Sequence, residues 1–392
     1  MFGTSFVGLF FDYYDLYLFV YLERTLAAAF GLTPVASNVL QFSGLAGVGL
    51  GALIFGYLAD RWGRERMLVV VLVVYVVALA GISLAWNFGS LLSFRVLASL
   101  ALGAEWGISH AWMSERVQRQ ARYRFSALLQ FAILGGLLAA LCSRFLLPVV
   151  GWRWLFAASI LPIVLLSVWR WRCLAGCAKS SVDAEPRDQL GVGFKGIRLT
   201  RRESAVFIRC LALASLTIAS GTLNVFFVKE LPQSTFYTVL FWANVAPGML
   251  LGALVVRWCG VRRAVVGYAL GLIALSLLAW SGFLPGGKLT FALSLPILNG
   301  IPFGLMGAYF NEVFSRFRTM LSGSAYNVGR ILAGFSPFLI TTLGLHQGVN
   351  YFLFSAFLGI GVCIIGWQMA DDRQQTPTGM SDPKDRAQLL AK

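Results

Sequence analysis

Two aspartates, Asp12 and Asp15, interrupt the first long apolar run of this chain and are its first residues whose types and spacing could do chemistry. A separation of three places them on one face of a helix. An ionisable group inside a bilayer costs about 2.5–3.5 kcal/mol on insertion scales, so it is a functional candidate by default. Two neighbouring carboxylates resist ionising together, which favours the exchange of one proton near neutral pH. The pair therefore predicts a proton-coupling site.

A basic partner for these aspartates lies in the fourth apolar run. At about 1.5 Å per residue, both aspartates lie roughly 15–20 Å from the inner face and Arg95 roughly 24 Å from it. We expect Arg95 to contact Asp15 and to take part in substrate binding; a static ion pair is the alternative. Glu105, further along the same run, is a second proton-coupling candidate, or the buried partner of an inner-loop arginine.

Arg330 lies about 12 Å inside the eleventh run, which contains no carboxylate. Because a guanidinium fork suits a carboxylate, Arg330 predicts an anionic substrate. A bond to backbone carbonyls or to an acid on another span is the alternative. Further substrate-binding candidates are polar residues within apolar runs, namely Gln130, Asn244, Asn299, Tyr326 and Asn327.

Three other ionisable residues have plainer interpretations. A lone histidine on an apolar helix, such as His110, is more often packed than functional, although it titrates in the useful range. Glu115 and Glu312 close the fourth and tenth runs, and we expect each to pair with loop arginines.

These charges are exceptions in a strongly apolar chain. Of its 392 residues, 58% are hydrophobic and 12% are charged, whereas a soluble domain carries about a quarter charged residues. The mean hydropathy is +0.74. This composition excludes a soluble enzyme, a disordered chain and a secreted disulfide module, and we expect no cofactor or metal site.

The elements that must position the charged residues are membrane-spanning helices. One span with its loop needs roughly 30–33 residues, so we predict an all-α protein with twelve spans. The predicted limits are 2–22, 37–59, 66–86, 90–114, 124–147, 152–171, 206–228, 235–257, 263–284, 289–311, 322–343 and 350–369. We interpret 1–171 and 206–370 as two six-helix bundles, 172–205 as a cytoplasmic linker and 371–392 as a cytoplasmic tail.

Basic residues set the expected orientation. They concentrate in alternate loops and in the linker, which predicts that both termini are cytoplasmic. This explains the net charge of +15 without a nucleic-acid partner. We expect a monomer in a bacterial inner membrane, in contact with lipids.

The two halves echo each other at an offset of about half the chain. Residues 58–62 read LADRW and residues 254–258 read LVVRW. Paired six-helix repeats are typical of transporters whose site lies at the midplane between the halves.

The loop between the second and third predicted spans carries a recognisable motif. Residues 56–66 read GYLADRWGRER, which resembles the G-x-x-x-D-R-x-G-R-[RK] signature of the major facilitator superfamily. Residues 95–115, RVLASLALGAEWGISHAWMSE, and 326–337, YNVGRILAGFSP, together with the Asp-x-x-Asp of the first span, are similar to its metabolite:proton and sialate/aromatic-acid symporter branches. The chain departs from the pattern at Val256, where an aspartate is expected. It also begins almost at the first span, which we interpret as a missing or truncated N-terminal segment.

The resemblance implies a twelve-helix major facilitator fold with alternating access between the two bundles. It also implies a cytoplasmic gate motif made of Gly56, Asp60, Arg61, Gly63 and Arg64. We expect Asp60 to pair with a loop arginine or to cap a neighbouring helix. Such a partly exposed pair contributes about 0–1 kcal/mol, which suits a latch; a plain topology anchor is the alternative.

The function predicted from these features is proton-coupled symport of a small organic anion or metabolite, and not catalysis. Proton-driven export of drugs or siderophore-like metabolites is the first alternative. A transport-inactive membrane sensor is a remote one.

Overall fold

The computed structural model describes residues 2–118, 121–178, 198–229, 234–285, 287–336, 339, 342 and 350–369. Within these ranges the regular structure is helical and contains no strand, as predicted. Most of the predicted linker and the whole predicted tail lie outside the described residues.

In the first half of the chain, the described residues form eight helices. They are α1 (Phe2–Tyr21), α2 (Glu23–Phe30), α3 (Pro34–Trp62), α4 (Arg64–Ser83), α5 (Phe88–Arg116), α6 (Arg122–Gln130), α7 (Gly135–Leu141) and α8 (Leu147–Ala178). A 3-10 turn, Phe131–Leu134, and a π-helical turn, Cys142–Leu146, join α6, α7 and α8. The fifth predicted span is therefore a helix with two local irregularities, which the apolar pattern did not reveal.

The described part of the second half contains six helices that match the remaining predicted spans. They are α9 (Arg201–Lys229), α10 (Ser234–Cys259), α11 (Val261–Trp280), α12 (Gly287–Val313), α13 (Arg318–Gly334) and α14 (Asn350–Gln368). The predicted end of the eleventh span, near residue 343, falls where the structure describes few residues.

The helix lengths fit twelve crossings of a bilayer. Nine stretches of the described residues are long and apolar enough to cross a membrane. One of them, Arg122–Arg172, has 51 residues, and Gly151, with φ of 78°, breaks it into two helices. About 20 helical residues cover the hydrocarbon core, so this stretch serves two crossings. With α1, which carries the two aspartates, and α13, the total reaches twelve.

Within each half, glycines bring two helices into backbone contact, and the two pairs of helices are equivalent. A Cβ atom on Gly51 of α3 would collide with the Leu100 carbonyl, and one on Gly103 of α5 would collide with that of Val48. The same arrangement recurs between α10 and α12, where a Cβ on Gly248 would meet the Ile297 carbonyl. Small residues allow membrane helices to approach closely, and here they join the same two helices of each repeat.

The two halves meet mainly through α13, which packs against α3 and α5, and through α12 and α10, which pack against α6. At one close approach, a Cβ on Gly107 of α5 would lie 2.9 Å from the Cα of Gly323 of α13. The candidate site lies beside this contact and is lined by residues of α1, α3, α5 and α13.

Candidate functional site

A small cavity with a volume of about 10 Å³ lies between α1, α3, α5 and α13. Its lining is mostly apolar, with one carboxylate and one guanidinium: Leu9, Asp12, Tyr13, Leu16, Val48, Leu102, Trp106 and Arg330. An apolar cleft with a few convergent polar groups is the usual form of a small-molecule site. The cavity is thus our candidate substrate site.

Arg330 faces this cavity among aromatic rings. Its Nη2 donates to the hydroxyl of Tyr326 at 3.2 Å and lies 3.5 Å from that of Tyr13. The guanidinium carbon lies 5.0 Å from the Tyr326 ring centroid and 5.6 Å from that of Tyr13. Among the described residues, no carboxylate lies within the 4.0 Å that defines an ion pair with Arg330. Its charge can therefore attract an anion.

Trp106 lines the cavity and packs against Tyr326 behind it. The two rings are stacked with centroids 3.9 Å apart and an angle of 4° between their planes. The indole Nε1 donates to Gln130 Oε1 at 3.1 Å, and Gln130 donates in turn to the Phe303 carbonyl at 3.4 Å. Because α5 and α6 belong to one half and α12 and α13 to the other, these contacts join the halves.

Asp12 is the acidic residue of the cavity. It is buried, and its Oδ2 has no hydrogen-bond partner in the described part of the chain. Asp15, Glu105, Arg170 and Arg330 all act on it electrostatically. A carboxylate in this position can bind a proton, and its charge also affects the binding of an anion at Arg330.

Glu105 forms an ion pair with Arg170 of α8 behind the cavity. The two Glu105–Arg170 hydrogen bonds measure 2.6 and 3.1 Å, and the side chains are 1% and 5% exposed. Arg170 also donates to the carbonyls of Thr4, at 2.9 Å, and Leu68, at 3.3 Å. One guanidinium thereby ties together α1, α4, α5 and α8.

The predicted gate motif lies at one end of the interface between the halves. Asp60 accepts hydrogen bonds from the backbone N–H groups of Thr319, at 3.1 Å, and Met320, at 3.0 Å, in the first turn of α13. It also accepts one from Arg64 at 2.8 Å. A carboxylate at a helix N-terminus satisfies unpaired donors and opposes the helix dipole. Asp60 therefore does both things expected of it, and the helix that it caps belongs to the other half.

Arg64 extends this contact. Its Nε donates to the Thr319 hydroxyl at 3.0 Å, and its Nη1 lies 3.0 Å from Glu115, which is also 3.6 Å from Arg318. The Asp60–Arg64 pair is partly buried, and its side chains are 3% and 10% exposed.

Two glycines of the motif have steric roles. A Cβ on Gly56 would lie 2.8 Å from the Cα of Met320, so a side chain there would push α13 away. Gly63 has φ of 98°, a conformation that favours glycine. Arg61 is exposed.

Residues 5–341 match the family model described as the Major Facilitator Superfamily. The chain belongs to this superfamily. The match confirms the resemblance that the loop motif predicted.

Known relatives of this major facilitator protein are transport proteins. The cis,cis-muconate transport protein of Acinetobacter baylyi is 27% identical over 380 residues, covering 92% of this chain and 89% of the relative. The niacin transporter NiaP of the same organism is 36% identical over 163 residues, 41% of this chain and 37% of the relative. The chain is thus a membrane transporter and not an enzyme.

A solved structure confirms the fold. The proton:xylose symporter XylE, bound to 6-bromo-6-deoxy-D-glucose, superposes with a TM-score of 0.71 at 15% identity, over 94% of each chain. The predicted major facilitator fold of twelve helices is therefore correct.

Asp15 and Arg95 lie in the first half of this major facilitator fold, and neither lines the cavity. Within the described ranges no hydrogen bond or ion pair within 4.0 Å joins them, so the expected direct contact is wrong. The reason is that the Arg95 guanidinium stacks 3.7 Å from the ring centroid of Phe19, in space that Gly44 leaves open. Asp15 nevertheless interacts electrostatically with Arg95.

Three of the predicted substrate-binding residues instead join helices. Asn244 donates to the Leu293 carbonyl at 3.0 Å, and Asn327 donates to the Gly103 carbonyl at 3.0 Å. Asn299 accepts from Tyr268 at 2.9 Å and from Ser220 at 3.1 Å. By contrast, Arg330 lines the cavity, and Tyr326 and Gln130 contact its lining residues.

Tyr13, Trp106 and Arg170 were not predicted from the sequence. Arg170 had a usable signal, since it lies within the predicted sixth span, where any arginine is a buried charge. The expected inner-loop partner of Glu105 is wrong, because α8 supplies the arginine instead. Tyr13 and Trp106 had no signal, because aromatic residues are common throughout apolar spans.

Proposed function

We propose that this transporter takes up a small organic carboxylate together with a proton. The observation that carries the proposal is Arg330, a guanidinium that lines the cavity, is held by two phenols and has no carboxylate of the described residues within ion-pair distance. A planar, conjugated acid suits this site, because its carboxylate can bind the guanidinium fork while its body contacts the aromatic side chains that line the cavity.

The named relatives support this class of substrate. Muconate is an unsaturated dicarboxylate and niacin is an aromatic carboxylic acid, and both are planar. The proton coupling named for XylE supports a proton as the driving ion, since the two proteins share a fold.

The charges of the cavity supply a reason for coupling. When Asp12 is ionised, it opposes the charge of Arg330 and weakens the attraction for an anion. When Asp12 binds a proton, the cavity gains one positive charge and the anion binds more strongly. Linkage is reciprocal, so a bound anion also favours the proton. Asp15, which interacts electrostatically with Arg95, is the other member of the proposed proton-coupling pair.

The release step follows from alternating access. Residues 1–171 and 206–370 act as the two rocking bundles, joined by the linker 172–205. The contact of Asp60 with α13 breaks when the site opens to the gate side. With both termini cytoplasmic in a bacterial inner membrane, the gate side is the cytoplasm.

The test is uptake of labelled cis,cis-muconate and nicotinate into proteoliposomes with an acid outside and an alkaline inside. We expect both acids to accumulate in the vesicles. Accumulation should disappear when the pH gradient is dissipated, and it should also be absent in the Arg330→Ala variant. Arg24→Ala, at an exposed position, is the matched control and should accumulate substrate normally. Uptake that ignores both the gradient and Arg330 would overturn the proposal.

The aspartates are tested in the same vesicles. In the Asp12→Asn, Asp15→Asn double variant, proton-driven accumulation should vanish, while exchange of labelled for unlabelled acid without a gradient should continue. Accumulation at the wild-type level would remove both residues from proton coupling. Efflux from loaded vesicles driven by an inward proton gradient would favour the exporter instead.

A further inference from the structure

A tryptophan of the second half, Trp242 of α10, closes the interface at the end opposite the gate motif (the far end). The cavity volume of about 10 Å³ suffices for about one water molecule, so the halves must part before an organic molecule can enter. We infer that Trp242 is the gate of the far end, that Gly136 is its seat, and that its displacement admits substrate to the cavity. The inference goes beyond the proposed function, because it holds for any small molecule that the protein transports.

Trp242 lies on the opposite side of the cavity from the Asp60 contact. The helix that Asp60 caps, α13, begins at the gate end, and Arg330 lies roughly 18 Å from its start. Since successive crossings alternate in direction, α10 ends at the gate end, and Trp242 lies roughly 25 Å from there. Seen from the gate motif, Trp242 is therefore beyond Arg330.

The indole of Trp242 packs against two helices of the first half. Its ring centroid lies 4.7 Å from that of Tyr17 on α1, with the two planes at 79°. Both rings meet over Gly136 of α7, where a Cβ would lie 2.7 Å from Trp242 Cη2 and 2.8 Å from Tyr17 Cδ2. Trp242 is 1% exposed, so a single side chain of the second half seals this point of the interface.

A pair of glycines behind an irregular turn forms the seat. A Cβ on Gly135 would collide with the Phe10 carbonyl, so this glycine brings α7 against α1, and the next glycine, Gly136, receives the indole. The 3-10 turn Phe131–Leu134 directly precedes the pair. Because 3-10 turns within a helix often mark a hinge, the fifth span can bend at the place where Trp242 docks.

The closed contact leaves one polar group unsatisfied. The Nε1 of Trp242 is buried and makes no hydrogen bond of normal geometry within the described ranges, although Tyr21 lies near it. By contrast, the Nε1 of Trp106 donates to Gln130 at 3.1 Å. A buried donor without an acceptor destabilises the state that buries it, and the indole N–H reaches water when the halves part. The closed contact is therefore weak enough for a gate that opens in every cycle.

Tyr17 connects this contact to the substrate site. It lies one helical turn beyond Tyr13, which lines the cavity, and it interacts electrostatically with Arg330. A molecule that passes Trp242 thus enters beside the guanidinium. Displacement of Trp242 opens this path while the Asp60 contact at the other end stays closed.

The test is alkylation of a cysteine placed in the cavity of the purified full chain, with its six native cysteines replaced by alanine. Leu16→Cys, in the cavity lining beside Tyr17, reports the far end, and Met320→Cys reports the gate end. We expect Trp242→Ala to raise the alkylation rate of Leu16→Cys about threefold to tenfold, the size of a lost aromatic pair. The rate at Met320→Cys should not rise. Trp242→Phe keeps a ring against Tyr17 and should have a smaller effect.

Gly136→Ala tests the seat by adding atoms instead of removing them. Its methyl group collides with both rings, so alkylation of Leu16→Cys should rise as it does in Trp242→Ala. This variant also tests the gate if the larger deletion does not fold. Gly267→Ala is the matched control, since a Cβ there meets nothing within 4 Å, and it should leave both rates unchanged.

Two results would contradict the gate. One is an unchanged alkylation rate of Leu16→Cys in Trp242→Ala and Gly136→Ala. The other is a rise at both reporters, which would show general loosening of the fold instead of opening at one end. The measurement uses neither substrate nor a pH gradient, so its result does not depend on the proposed uptake of a carboxylate with a proton.

Discussion

Asp60 of α3 accepts the backbone N–H of Met320 of α13 at 3.0 Å, across 260 positions of sequence and from one half of the protein to the other. Asp60, a residue of the loop motif, thus caps a helix of the other half. The contact holds the halves together at the gate end, and any opening there must expose the first turn of α13.

Asp60→Asn tests how firmly this cap holds the gate shut. Asparagine keeps a capping oxygen but loses the charge that Arg64 and the helix dipole favour, so we expect a loss of about 1 kcal/mol. The gate end should then open more often, which faster alkylation of a Met320→Cys reporter would detect. Arg66→Ala, at an exposed position nearby, should leave the alkylation rate unchanged. An unaltered rate in Asp60→Asn would mean that the cap does not hold the gate.

The Glu105–Arg170 pair predicts a non-additive effect on stability. Removing one partner leaves a buried charge uncompensated, so Glu105→Gln and Arg170→Met should each cost about 3–5 kcal/mol. The double variant should recover much of this loss, because neither charge then remains. Thermal unfolding in detergent measures the three variants against the wild type. Additive losses would show that the two side chains are not coupled.

Substitutions at two helical glycines should differ sharply in their effect on stability, because only one of the glycines lies at a close contact between helices. Gly103→Val places two methyl groups against the Val48 carbonyl, where even a Cβ collides, so folded protein should be lost or strongly destabilised. Gly267→Ala meets nothing within 4 Å and replaces a helical glycine. It should be neutral or stabilising by up to about 1 kcal/mol. The measurement is the yield and melting temperature of each variant; equal behaviour would contradict the close α3–α5 approach.

The sequence by itself determined the helices, because continuous apolar runs of bilayer length leave the backbone no other way to satisfy its hydrogen bonds in lipid. It also identified the residues that are costly to bury, and these include Asp12, Glu105 and Arg330. Each of these signals is local: a run length, a residue type or a short motif. The same locality explains why the gate loop was recognisable before its contacts were known.

The partners of these residues came only from the tertiary structure. Glu105 pairs with Arg170, which lies 65 positions away on another helix, and Arg95 stacks on Phe19 rather than contacting Asp15. Asn244, Asn299 and Asn327 were indistinguishable from Gln130 as polar residues in apolar runs. Of the four, Gln130 bonds to Trp106, which lines the cavity. Which groups meet depends on the rotation of each helix and on the side chains at each crossing, and neither is written in the apolar pattern of a single span.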